Sequence, residues 1–135
     1  MRRGWAFLGA RAAWPLVAGD ALAFLVFAAI GRHDHQESGA LVAVVGTALP
    51  FFAGWLVVAP WAGVYSGPAR GHPADLARRT AIGWIAAWPV GLLFRAISLH
   101  RGIPVSFAVV TLLANAVLLV GWRTLYAWLC AAGRR

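Results

Sequence analysis

Residues 80–99 read TAIGWIAAWPVGLLFRAISL, and the fold turns on this run. Gly83, Ala87, Gly91 and Arg95 recur every four residues, a spacing that lays them along one face of a helix. The residues between them (Trp84, Ile85, Trp88, Val90, Leu92, Leu93 and Phe94) are apolar. A seam of small residues that leads to a permanent positive charge suits contact with other protein rather than with hydrocarbon. The run therefore predicts one helix of a membrane bundle with something polar inside it.

Composition widens that conclusion to the whole chain. Of 135 residues, 61% are hydrophobic and only 12% charged, and the mean hydropathy is +0.74. Ordinary soluble domains carry about a quarter charged residues, so the lipid bilayer is the implied partner. The net charge of +8 comes entirely from arginine. A nucleic-acid interface needs an exposed basic face in polar surroundings, whereas these arginines punctuate apolar runs, so no nucleic-acid partner is expected. The single cysteine, Cys130, rules out an intramolecular disulfide or a multi-cysteine metal site.

Four apolar runs, about 12–31, 40–64, 80–99 and 103–129, predict an all-α polytopic bundle of four transmembrane helices in one integral membrane domain. The first run resembles a signal peptide, with Arg2, Arg3 and Arg11 before it and Ala21-Leu22-Ala23 as a small-x-small site. Asp20 within the run and three further spans after it favour a retained helix. The second run carries no charge and contains Pro50, with Gly46 and Gly54 one turn to either side. That arrangement predicts a kink packed closely on a neighbour. Pro89 is a second interior proline, and Thr111 and Asn115 share one face of the fourth run.

Nine arginines (Arg2, Arg3, Arg11, Arg70, Arg78, Arg79, Arg123, Arg134 and Arg135) fall on one side of this topology, and Arg32 and Arg101 on the other. The positive-inside rule then puts both termini in the cytoplasm of a multi-pass plasma-membrane protein. The loop 65–79 is rich in Gly and Pro, with Asp75 as a cap for the third helix. Trp5, Trp14, Trp55, Trp61, Trp122, Tyr126 and Trp128 lie near run ends and read as interfacial anchors. The dipeptides Trp14-Pro15 and Trp88-Pro89, with Gly54-Trp55 and Gly121-Trp122, raise the possibility of a duplicated helix pair.

A lone Asp or Arg at mid-membrane depth costs about 2.5–3.5 kcal/mol, so Asp20 and Arg95 need partners. Counted from the cytoplasmic ends, Asp20 lies roughly 12 Å deep and Arg95 roughly 22 Å. Asn115 comes out near the depth of Asp20, which predicts an Asp20–Asn115 hydrogen bond with Thr111 nearby. Arg95 is expected to reach outward to the loop Gly31–Glu37. In that loop His33, His35 and Glu37, with His100, are potential metal ligands by chemistry. Their spacing is no recognised metal signature, so neither metal nor cofactor is expected. No nucleophile–base pair is spaced for catalysis. Asp20, Arg32, His35, Glu37, Arg95, Asn115 and Arg123 remain the candidate functional polar residues.

The motifs Gly31-Arg32-x-x-His35-x-Glu37, Pro50-Phe51-x-x-Gly54-Trp55, Arg95, Gly102-x-Pro104-x-x-Phe107 and Gly121-Trp122-Arg123 follow one another along nearly the whole chain. In this order they resemble a small prokaryotic membrane family, the domain of unknown function three thousand and fifty-four. The chain departs from that pattern at Gln36, where a small residue is expected, and at His33-Asp34. The resemblance implies four membrane helices and assigns no activity. Two functions stay open: a non-enzymatic structural or accessory subunit that oligomerises or joins a membrane-protein partner, and a small transporter with a polar path near Asp20, Arg95 and Asn115.

Overall fold

A computed structural model describes residues 14–34, 41–65 and 73–133. These form four α-helices: α1 (Trp14–Asp34), α2 (Leu41–Val58), α3 (Pro73–Leu99) and α4 (Val105–Gly133), with a 3-10 turn, Ala59–Ala62, closing α2. All four are long and apolar enough to cross a membrane, as the composition predicts. α3 begins at Pro73, seven residues before the apolar run. Proline fits the first helical turn, and Asp75 there complements the helix dipole. Asp75 also pairs with Arg78 at 3.8 Å, one turn along. Hydropathy marks where lipid begins, not where the helix begins.

Two left-handed residues turn the chain between helices. Gly63 (φ 77°) caps the 3-10 turn and donates its N–H to Pro60 O at 3.1 Å. His100 (φ 55°) ends α3. Its N–H bonds to Ile97 O and that of Arg101 to Ala96 O, both at 3.3 Å, which satisfies two end carbonyls of the helix.

The helices alternate in direction and form a ring, α1 beside α2 and α4, α3 beside the same two. The closest approach is between α2 and α3. A Cβ added at Gly54 would lie 2.8 Å from Gly91 N and 3.3 Å from Ala87 O. One added at Gly91 would lie 2.7 Å from Phe51 Cδ1. The small-residue seam therefore does face protein, and its partner is α2 of the same chain. Gly46 does not share in this contact. Nothing lies within 4 Å of a Cβ there, and Gly46 borders an open apolar groove of about 510 Å³ with Leu49, Pro50, Ala53, Phe94 and Ile97.

Between α3 and α4 the contact is made by indoles. Trp84 and Trp88 donate their ring N–H to Leu112 O and Ala108 O, each at 2.9 Å. Phe24, Phe51, Trp84 and Phe107 fill the middle of the ring, with Phe24–Trp84 centroids 5.5 Å apart and Phe51–Phe107 6.0 Å. The outward faces are apolar as well: Val42 is 81% and Val117 73% exposed. Helices that are apolar both inside and outside fit a lipid surround rather than water.

Candidate functional site

α1 buries a stripe of Leu16, Asp20, Ala23, Phe24 and Phe27, so Asp20 sits in the core-facing row. α4 buries Thr111, Asn115, Leu119, Arg123 and Ala127, a strict spacing of four. The two stripes meet at their charged members. Arg123 grips the Asp20 carboxylate with two bonds, Nε to Oδ1 at 2.8 Å and Nη2 to Oδ2 at 2.5 Å. Both side chains are 0% exposed.

Three neutral donors complete the carboxylate. Trp122 Nε1 donates to Oδ1 at 2.9 Å, and Trp55 Nε1 to Oδ2 at 3.0 Å. The Tyr65 hydroxyl donates to Oδ2 at 2.5 Å. Trp55 shares its N–H with the Tyr65 oxygen at 2.9 Å. On the cation side, Arg123 Nη1 donates to Val64 O at 3.2 Å. The guanidinium carbon lies 4.9 Å from the Tyr65 ring centroid and 5.3 Å from that of Trp55, close enough for cation–π attraction. Taking two ions out of water costs several kcal/mol each, which only close geometry and satisfied lone pairs offset. A carboxylate has about four acceptor positions, and here five donors fill them.

Local structure explains how each donor arrives. The 3-10 turn and Gly63 redirect the chain after α2, so that Val64 and Tyr65 fold back under Arg123. Burial, and next the Asp20 charge, push the Tyr65 phenol pKa up, so it stays a donor. Gly19 makes room for Trp122: a Cβ there would fall 2.0 Å from the indole Cζ2.

The predicted Asp20–Asn115 bond is not formed. Asn115 Nδ2 donates to Thr111 O at 3.1 Å within its own helix, while the oxygens of Asp20 are taken by residues nearer that end of the bundle. Arg123 is also displaced from its expected place: it is the buried partner of Asp20, not an interfacial arginine. Trp55 and Trp122 are likewise site residues rather than anchors, whereas Trp14, Trp61 and Trp128 are at least half exposed. Arg95 lies with its guanidinium 4.7 Å over the Phe107 ring. Its expected partners in the loop, and the side chains of Arg32, His33, Asp34, His35 and Glu37, fall outside the described residues. Among the described residues no three His, Cys, Asp or Glu are grouped to hold a metal.

The signal for this site was present in sequence as Gly54-Trp55 and Gly121-Trp122-Arg123. Both dipeptides deliver an indole N–H to the same carboxylate.

Fold and site together define a four-helix membrane-type bundle closed by one buried, fully hydrogen-bonded ion pair. The chain belongs to the family described as Protein of unknown function (DUF3054), which it matches over residues 17–126. That stretch contains Asp20, Trp55, Tyr65, Trp122 and Arg123. No curated protein and no solved structure matches the chain.

Proposed function

We propose that this is a non-enzymatic integral membrane protein, a structural or accessory subunit that assembles with copies of itself or with another membrane protein. The observation that carries this is the saturation of Asp20: five donors, no exposure, and a cation held on both oxygens. A group that must pick up and release a proton or solute needs a vacant acceptor position and access to water. Asp20 has neither, so its role is to fix the register of α1, α2 and α4. The transporter alternative also needs Asp20, Arg95 and Asn115 along one path, whereas each makes its contacts with different neighbours.

Assembly must use other surfaces than the seam, since Gly54, Ala87 and Gly91 are consumed within the chain. The open groove beside Gly46 is one surface that could take a partner helix. The orientation with both termini cytoplasmic follows from the arginine distribution. Mass spectrometry of the protein extracted in native lipid tests the proposal. A defined oligomer or stoichiometric partner is expected; a monomer alone, together with solute or proton flux abolished by Asp20→Asn, would overturn it.

A further inference from the structure

Leu76 on α3 packs on Ala127 of antiparallel α4. Three residues further into the bundle along each helix come Arg79 and Thr124. Both carry a buried polar atom with no hydrogen-bond partner, Arg79 Nε and Thr124 Oγ1. Two orphaned groups at one level of one helix pair are costly unless something outside the chain satisfies them.

Among the described side chains no acid is left to do so. The chain has four acidic residues. Asp20 is held by Arg123 and Asp75 by Arg78. Asp34 closes α1 at the opposite end of the bundle, and Glu37 follows it in sequence. An anion from outside the chain would satisfy both groups. Arg79 as a whole is only partly buried, while its Nε is enclosed.

Position identifies the anion's chemistry. α3 has 27 residues, roughly 40 Å of helix against about 30 Å of hydrocarbon. Its first turns therefore stand in the headgroup layer, and Arg79 lies about 9 Å from the Pro73 end. Arginine and a hydroxyl are suited to a tetrahedral oxyanion, since the guanidinium donates in a fixed fork.

We propose that Arg79 and Thr124 form a notch for a phosphate group, supplied by the headgroup of an anionic phospholipid. Arg78 is not part of it: its side chain is exposed and lies beside Asp75.

The test is titration of the detergent-solubilised protein with phosphatidylglycerol, read as bound lipid by native mass spectrometry, with phosphatidylcholine and inorganic phosphate alongside. Phosphatidylglycerol occupancy should fall about tenfold in Arg79→Gln, the loss of roughly one charge-assisted bond. Thr124→Val should lower it severalfold and Arg78→Gln by less than twofold. Melting without lipid should be unchanged in Arg79→Gln, because the arginine leaves no partner behind. Protection by inorganic phosphate that is lost in Arg79→Gln would keep the phosphate site and make its source soluble. Equal lipid retention by Arg79→Gln and Arg78→Gln with no response to phosphate would overturn the proposal. So would a lipid-free melting loss in Arg79→Gln that is shared by Arg79→Lys and Thr124→Val.

Discussion

Replacing Arg123 with methionine, which keeps much of the side-chain volume, removes both charge-assisted bonds to Asp20 and the bond to Val64 O. The carboxylate stays buried with only Trp55, Tyr65 and Trp122 as donors. Neutral hydrogen bonds in membrane proteins are worth about 0.6 kcal/mol on average, so three of them supply roughly 2 kcal/mol. Breaking a buried ion pair on one side costs about 3–5 kcal/mol. Arg123→Met should therefore destabilise by ~3–5 kcal/mol, against ~0.6 for Trp122→Phe. Asp20→Leu should cost a similar amount to Arg123→Met, because it strands the guanidinium. The double variant buries no charge and keeps only the orphaned Tyr65 and Trp122 donors, so it should cost at least ~2 kcal/mol less than the sum of the singles. Reversible unfolding in mixed micelles, followed by tryptophan fluorescence, measures all three. Additivity within about 0.5 kcal/mol would refute the buried pair. Asn115→Leu in the same cycle with Asp20→Leu should be additive, since the two residues do not touch.

Three further outcomes follow from the packing. Gly19→Ala should lower stability by ~1–3 kcal/mol and shift tryptophan emission, since the new methyl would meet Trp122 Cζ2 at 2.0 Å and push the indole off Asp20. Gly54→Ala should destabilise through backbone separation of α2 and α3, whereas Gly46→Ala, with nothing within 4 Å, should gain up to ~1 kcal/mol of helix propensity; paired melting curves distinguish them. The Tyr65 phenol has its pKa raised by burial, so a Tyr126→Phe variant should show no phenolate absorbance while folded. The stability from that shift is full below about pH 10, the ordinary tyrosine value, and declines as pH rises from there towards the folded value.

Apolar run length made four helices legible, and spacing alone made the Gly83/Ala87/Gly91 face legible as a buried one. The partner of Asp20 was misread. The expected pairing set Asn115 level with Asp20 and left Arg123 at the interface, yet Asn115 is fourteen residues from the end of its run and Arg123 only six, roughly 21 Å against roughly 9 Å, so the depth count itself favours Arg123 beside Asp20 at roughly 12 Å. Arg123 lies eight residues below Asn115 on the same stripe, two turns closer to the end where Asp20 resides. Trp55 and Trp122 were misread for a separate reason: an indole near a run end has the same composition whether it points to headgroups or to a buried carboxylate. The two Gly-Trp pairs share a role at Asp20, with Trp55 on one oxygen and Trp122 on the other.

The ion pair closes over 103 residues of chain, and this has a consequence for biosynthesis. Asp20 enters the bilayer with the first helix, and its cation is made only as the last helix emerges. At about 5–20 residues per second the interval is roughly 5–20 s. Throughout it, the nascent protein carries an acidic residue in lipid with no guanidinium to meet it. A chain truncated before α4 would remain in that condition permanently, so membrane quality control has a ready mark by which to tell an unfinished copy from a finished one.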